Sequence, residues 1–215
     1  MSMQDIMKLK NTTGAGIKDC KEALEHCKGD FEKAVAHLRE KGKAAAAKKA
    51  DRIAAEGAVF SYVHLGGKIG VLVEINCETD FAAKAEQFQE LGKNVAMQIA
   101  ASNPLYLDET QVPTVELEKE KEVLRAKAIN DKKPAAVIEK MLEGQVKKYY
   151  GEICLVHQSY VKDPSKTIKD VVTETVAAIG EKISIRRFIR YEMGEGLEKK
   201  SENFAEEVAK VTGAK

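Results

Sequence analysis

The chain has 215 residues and a formal net charge of +1, with 32% charged and 44% hydrophobic residues. This composition is ordinary for a globular protein, and the length allows one domain with appendages or two small domains. The near-zero charge argues against a general polyanion binder, and neither a run of about 18 apolar residues nor the apolar core of a signal peptide occurs.

Residues 1–42 are predicted to form three short helices that pack as one small unit. Paired glycines at 14 and 16 end the first helix, and the third is expected to stop at Gly42. Each helix has apolar residues at helical spacing, in turn Met3, Ile6 and Met7; Ile17, Cys20, Ala23 and Leu24; and Phe31, Ala34, Val35 and Leu38. The following stretch, 43–56, is rich in Ala and Lys and has little to bury, so it is predicted to be a partly helical linker.

Gly57 opens a predicted β-hairpin, with Gly66-Gly67 as its turn and residues 68–77 as the return strand. His64 lies near the tip, where an exposed turn residue is the default expectation. The inward face of the return strand is predicted from its alternation to be Ile69, Val71, Val73, Ile75 and Cys77.

After residue 77 the apolar period changes from two to helical, and a single helix is predicted from Phe81 to about residue 101. Thr79 or Asp80 can cap it by accepting a backbone N–H of the first turn. Phe81 therefore lies at a strand-to-helix corner, directly after a carboxylate. A core phenylalanine does not require that position, but one that enters another protein would suit it.

The remainder predicts a helical hairpin over 114–149, an apolar edge strand or extended segment at 153–158, and a helix over 168–179 that ends at Gly180. The first helix of the hairpin is so charged that the hairpin is expected to protrude, either as a stalk or as an arm that contacts a partner. A strand over 183–191 shows clear alternation, and a terminal helix is predicted over 199–215. The fold class is therefore α+β, a small antiparallel sheet with packed helices.

The four cysteines are Cys20, Cys27, Cys77 and Cys154, and they show neither a CxxC pair nor finger-like spacing. Three of them lie on predicted apolar faces, where free cysteine is commonly buried. We expect reduced thiols in a cytoplasmic protein, with a disulfide or a metal role as the less favoured alternatives. GxSxG, HExxH, P-loop and dinucleotide motifs are all missing from the sequence, so no catalytic site and no cofactor is predicted.

The stretch Thr79-Asp80-Phe81-Ala82-Ala83-Lys84 resembles the signature of the elongation factor Ts family, nucleotide exchange factors of elongation factor Tu. Similar stretches are Thr13-Gly14-Ala15-Gly16, Asp19-Cys20-Lys21 and the Gly-Glu-Gly at 194–196. The resemblance covers nearly the whole chain. It departs at Ala82, where the family usually has Val.

This resemblance implies a ubiquitin-associated-like module at 1–42, a linker at 43–56, an α+β core at 57–198 and a C-terminal helix at 199–215. It also implies that Asp80 and Phe81 enter elongation factor Tu near its magnesium and phosphates and so promote GDP release. The residues implied to contact that partner are Thr79, Asp80, Phe81, Lys84, Thr13, Gly14, Ala15, Gly16, Ile17, Asp19, Lys21 and His64.

Two further expectations concern partners. Longer relatives carry two related halves where this chain has one, so a homodimer is expected, with the edges at 153–158 and 183–191 as candidates for pairing. No direct contact with nucleic acid is expected. The alternative is a ribosome- or RNA-associated binding protein, which would use the Ala- and Lys-rich linker and a surface for single-stranded RNA formed by Arg186, Arg187 and Arg190 around Phe188. A small-molecule enzyme is the least favoured reading.

Overall fold

Three helices enclose a small core of their own at the N-terminus of the computed structural model, which describes residues 2–131 and 134–197. They are α1 (Met3–Thr13), α2 (Ile17–His26) and α3 (Phe31–Lys49). The apolar face of α1 differs from the prediction, because Ile6 and Leu9 are buried while Met3 and Met7 are exposed. The shared core comprises Ile6, Leu9, Cys20, Ala23, Leu24, Ala34 and Leu38.

The prediction that the third helix stops at Gly42 is wrong, since α3 continues to Lys49. Gly42 lies against α8 (Ile168–Ile179), where an added Cβ would be 3.3 Å from the Cβ of Ala177. Ala46 packs against the main core one turn later. Small side chains let the two helices approach closely, so this Ala-rich stretch buries surface and is not a free spacer.

The central sheet has the order β1-β2-β5 and is antiparallel throughout, with β1 at Glu56–His64, β2 at Ile69–Cys77 and β5 at Ile183–Glu192. A 3-10 turn at Leu65–Gly67 joins β1 to β2. The predicted inward face of β2 is confirmed, because Val71, Val73, Ile75 and Cys77 are buried and Ile69 is half-buried.

A bulge changes the faces of β5 halfway along the strand. The register shifts between Glu74 and Ile75, whose partners are Arg187 and Ile185, so Arg186 is an extra residue. An inserted residue moves every later side chain to the opposite face. Phe188 and Arg190 therefore join the inner side, whereas Ile189 and Tyr191 face outward, which corrects the uniform alternation that the sequence predicted.

The single helix predicted from Phe81 is in fact two, α4 (Asp80–Lys84) and α5 (Glu86–Ser102). They separate at Ala85, whose ψ of 140° is extended. The Gln89 side chain donates to the Ala83 carbonyl at 2.7 Å and so satisfies an acceptor that the break leaves free. α5 covers the inner face of the sheet with Phe88, Leu91, Val95 and Ile99.

The helical hairpin consists of α6 (Thr114–Asn130) and α7 (Ala135–Ile153), so its second helix runs past the predicted end. At its base the Glu116 carboxylate accepts hydrogen bonds from the hydroxyls of Tyr106 (2.6 Å) and Tyr149 (2.8 Å). At 153–158 the structure has neither an edge strand nor a continuous extended segment. α7 includes Ile153, Cys154 and Gln158 are extended, and a 3-10 turn at Leu155–His157 lies between them.

Two short strands, β3 (Ser159–Tyr160) and β4 (Asp163–Thr167), precede α8. Thr167 caps α8 in a capping box with Asp170, and Gly180 ends it in the left-handed conformation, as predicted. The α+β class with N-terminal helices and a small antiparallel sheet is thus confirmed. The helix predicted over 199–215 lies outside the described residues.

Candidate functional site

The strand-to-helix corner, residues Cys77–Phe81, projects Phe81 away from the body. Thr79 is extended and its hydroxyl accepts the Ala82 N–H at 3.2 Å, so it is the N-cap of α4. Ala82 and Ala83 are buried, so the side of α4 on which they lie faces the core and Phe81 lies on the other side. Phe81 consequently has 80% of its surface exposed.

Hydrogen bonds from distant parts of the chain hold this corner. Thr79 donates its N–H (3.0 Å) and its hydroxyl (2.7 Å) to the Glu181 carboxylate. The Glu78 carboxylate in turn accepts the Lys182 N–H at 2.6 Å, a bond that lowers the pKa of Glu78. The Cys77 thiol donates to the Thr79 carbonyl at 3.1 Å, and burial raises the pKa of this thiol, so it keeps its proton.

An ion pair lies beside the exposed ring. The Lys84 ammonium donates to the Asp80 carboxylate at 2.8 Å, and this hydrogen bond lowers the pKa of Asp80 and raises that of Lys84. The same ammonium is 5.9 Å from the centroid of Phe81. Both charged groups are exposed, and surface pairs of this kind are weak, so Asp80 is free to exchange Lys84 for a group on another molecule.

The second predicted set lies in the loop between α1 and α2. Gly14 is left-handed (φ 68°) and ends α1, and the Thr13 hydroxyl accepts the Ala15 N–H at 3.3 Å. Gly16 is the N-cap of α2, and Ile17 in its first turn is exposed. Further along α2, Asp19 pairs with Lys41 at 2.6 Å and Lys21 with Glu25 at 3.9 Å.

His64 is separated from the corner along the β-hairpin. It pairs with Ile69 at one end of the β1–β2 ladder, while Cys77 pairs with Glu56 at the other. Eight residue steps along β2 span roughly 26 Å. The Tyr62 hydroxyl lies 3.1 Å from His64 Nδ1, so this histidine belongs to the turn end of the sheet.

The three arginines of β5 do not form one basic surface. Arg186 and Arg187 both bind the Glu74 carboxylate, at 2.8 and 2.7 Å. Arg190, whose side chain is 8% exposed, lies on the inner side and pairs with Glu192 at 2.7 Å. The bulge causes this split, and it removes the arrangement on which the RNA reading depended.

Other kinds of site are not formed by the described residues. Within 2–131 and 134–197, no group of three or more His, Cys, Asp or Glu side chains could hold a metal ion. All four cysteines are free, and three are buried, as the sequence predicted. No helix in this part of the chain is both long and apolar enough to cross a membrane. Sequence reasoning missed Glu181 and Lys182, because no local pattern links residues about one hundred positions away to the corner.

The chain is a translation elongation factor by class, since the family model described as Elongation factor TS matches residues 3–195. Curated proteins named Elongation factor Ts are similar along almost their whole length. That of Desulforamulus reducens is 57% identical and that of Carboxydothermus hydrogenoformans 56% identical, each over 209 residues (97% of this chain, 96% of the relative). That of Geobacter sulfurreducens is 55% identical over 208 residues, with the same coverage. The chain belongs to the elongation factor Ts family.

Proposed function

We propose that the chain binds elongation factor Tu in its GDP form and promotes GDP release by inserting Phe81 and Asp80 near the magnesium and phosphate site of that partner. The exposure of Phe81 carries the proposal. A large apolar ring held outside its own core gains free energy only when another surface covers it. The corner is also fixed by hydrogen bonds at Cys77, Glu78 and Thr79, so the backbone that carries the ring has little conformational freedom left to lose on binding.

The energy of one ring is too small for the whole task. Burying a phenylalanine contributes about 1.5–3 kcal/mol. Loosening a nucleotide a thousandfold requires about 4 kcal/mol. Other surfaces must therefore supply binding energy, and we assign this role to the loop from Thr13 to Lys21 with its exposed Ile17, and to Lys84 beside the ring. His64 would be an outlying contact at the end of the hairpin.

The mechanism needs no chemistry from the factor itself. Insertion beside the metal of elongation factor Tu would disturb its magnesium coordination and its phosphate loop. GDP would then be released although no residue of this chain contacts the nucleotide. Coupling between two ligands is reciprocal, so GDP must weaken binding of the factor by the same ratio. We place this activity in the cytoplasm, where elongation takes place.

The test is release of fluorescent GDP from purified elongation factor Tu. Phe81→Ala should lower the release rate about 10- to 150-fold, which is the burial energy of the ring expressed as a ratio of rates. Asp80→Ala should lower it as well, and neither variant should lose stability. Leu105→Ala is a matched control, because Leu105 is also an exposed hydrophobic residue but lies outside the corner. Wild-type rates for both corner variants would refute the mechanism.

We also propose that two copies pair through the outer face of the central sheet. Five exposed hydrophobic residues lie there on three neighbouring strands, namely Val59, Val63, Leu72, Ile189 and Tyr191. Register places Leu72 opposite Ile189. The Glu74 carboxylate is already paired with two arginines of β5 before a partner covers it, and the cluster carries one net positive charge.

A second copy fits this face because each subunit would offer the same apolar rows to the other, as a two-fold interface requires. Sedimentation at micromolar concentration should give a dimer, and Leu72→Glu should give a folded monomer. A wild-type protein that sediments only as a monomer with full exchange activity would rule out the pairing.

A further inference from the structure

We propose that Glu181 is a positioning residue for nucleotide exchange, which acts by fixing the direction in which Phe81 and Asp80 project. This inference rests on the proposed function above. Glu181 lies in the connection between α8 and β5, far from the corner in sequence, and its side chain is half-buried. Within the described part of the chain, its hydrogen bonds to the corner are the two to Thr79.

Hydrogen bonds run in both directions between two neighbouring residues of the corner, Glu78 and Thr79, and two neighbouring residues of the α8–β5 connection, Glu181 and Lys182. In one direction the Glu181 carboxylate accepts the Thr79 N–H and hydroxyl, at 3.0 and 2.7 Å. In the other, the Glu78 carboxylate accepts the Lys182 N–H at 2.6 Å. Each connection thus supplies one carboxylate and one backbone donor to the other, and we call this arrangement the carboxylate clamp.

The clamp matters because α4 cannot hold itself in place. It has only five residues, fewer than an isolated helix needs, and its orientation depends on its cap and on two buried alanines. The Thr79 hydroxyl is the cap, and it donates to Glu181 while it accepts the Ala82 N–H at 3.2 Å. Glu181 therefore fixes the orientation of the Thr79 hydroxyl, whose oxygen accepts the N–H of Ala82 in the first turn of the helix that carries Phe81.

The clamp also reaches toward the N-terminal unit. Arg52, in the segment between α3 and β1, places a guanidinium nitrogen 3.3 Å from both carboxylate oxygens of Glu78. The Lys182 ammonium donates to the Arg52 carbonyl at 2.8 Å. The chain that leaves α3 is thereby tied to the same residues that hold the corner.

The experiment compares three substitutions of Glu181 in full-length factor, by measuring fluorescent-GDP release over a range of factor concentrations. Glu181→Ala removes both acceptors and should lower the maximal rate about 10- to 100-fold, since small misplacements of an acting group cost rates of that order. The half-saturating concentration should change less than about twofold, because the loop from Thr13 to Lys21 is intact. Glu181→Gln should retain most of the rate, since its amide can accept the Thr79 N–H and donate to the hydroxyl.

Glu181→Asp keeps the charge but shortens the reach, so it should be intermediate, and it replaces the alanine variant should that variant not fold. Asp170→Ala is the matched control. Asp170 accepts the N–H and the hydroxyl of the cap Thr167 on α8, at 3.0 and 2.8 Å, and thus makes the same two bonds away from the corner. It should lower the melting temperature without lowering the maximal rate of the folded protein.

A combined substitution separates the two proposals. If the clamp acts through Phe81 and Asp80, adding Glu181→Ala to a protein that already carries Phe81→Ala and Asp80→Ala should lower the rate no further. If Phe81→Ala is slow but Glu181→Ala has the wild-type rate, the positioning role of Glu181 is refuted while the proposed function stands. A rate loss equal to that of Asp170→Ala would also overturn that role. Wild-type rates for both Phe81→Ala and Asp80→Ala would overturn the proposed function and the clamp together.

Discussion

Replacing Gly92 by alanine should destabilise the protein, although alanine is the better helix former. Gly92 lies inside α5, and a Cβ built there would be 2.2–2.4 Å from three ring carbons of Phe60. Carbon atoms in contact normally lie about 3.5–4.0 Å apart, so the ring or the helix must move by more than about 1 Å. Phe60 is buried and tilts against Phe88 at 5.9 Å between centroids, which leaves the ring little room.

The expected size of the effect follows from two opposing terms. Overpacking of a core costs about 1–3 kcal/mol, and we take the upper half because the obstacle is a buried aromatic ring. Replacing glycine in a helix interior recovers about 0.5–1 kcal/mol. The net loss should be about 1–2.5 kcal/mol, measured by urea unfolding with circular dichroism.

The same substitution at Gly144 is the control. Gly144 lies inside the exposed part of α7, and a Cβ there would meet nothing within 4 Å. Gly144→Ala should therefore stabilise the protein by up to about 1 kcal/mol, the helix-propensity difference alone. Phe60→Leu should recover part of the loss in the Gly92→Ala background. A Gly92→Ala protein as stable as the wild type would show that the contact between α5 and β1 is looser than the structure indicates.

Three other predictions concern charged groups. Lys84→Met should raise the pKa of Asp80 toward its ordinary value, because the Lys84 hydrogen bond is the main cause of its lowering; an NMR titration of the Asp80 carboxyl that shows no rise would contradict this. Glu78 has a lowered pKa in the folded state, so its stabilising contribution is present above about pH 4.5 and is lost as the pH falls through the folded pKa. Glu78→Gln should flatten the fall in melting temperature on acidification, and an unchanged slope would refute this. Glu74→Gln should remove the carboxylate that Arg186 and Arg187 share, and the two uncompensated charges on the outer face of each subunit should weaken the proposed dimer; sedimentation with the same dimer fraction as the wild type would contradict this.

The sequence predicted those features that local patterns determine. The alternation of β2 identified its buried face, and the change of period at Thr79 identified the corner, because neighbouring residues alone decide both. The exposed position of Phe81 followed from its place in the first turn of the helix, directly after Asp80. That the corner contacts elongation factor Tu remains a prediction.

The features that the sequence did not predict depend on distant contacts. Gly42 suggested a helix end, but its closeness to Ala177 makes it a packing position within α3. The bulge in β5 depends on its pairing with β2, and its composition did not indicate an extra residue. Glu181 resembled an ordinary surface carboxylate until the fold brought it to Thr79. In each case the deciding partner is more than one hundred residues away in sequence or lies on another strand.

The continuity of α3 has a consequence for how the molecule selects what it binds. This helix has 19 residues, or about 28 Å, and it belongs at one end to the N-terminal core and at the other to the packing against α8. The distance between the α1–α2 loop and Phe81 is therefore built into the molecule. A protein that has binding patches for both the α1–α2 loop and Phe81, but at a different separation, could bind only one of the two. Selection of a partner therefore depends on the distance between its patches as well as on their chemistry. One residue added to α3 beyond Gly42 would turn the N-terminal unit by about 100° and misalign the two contacts, with every contact residue still present.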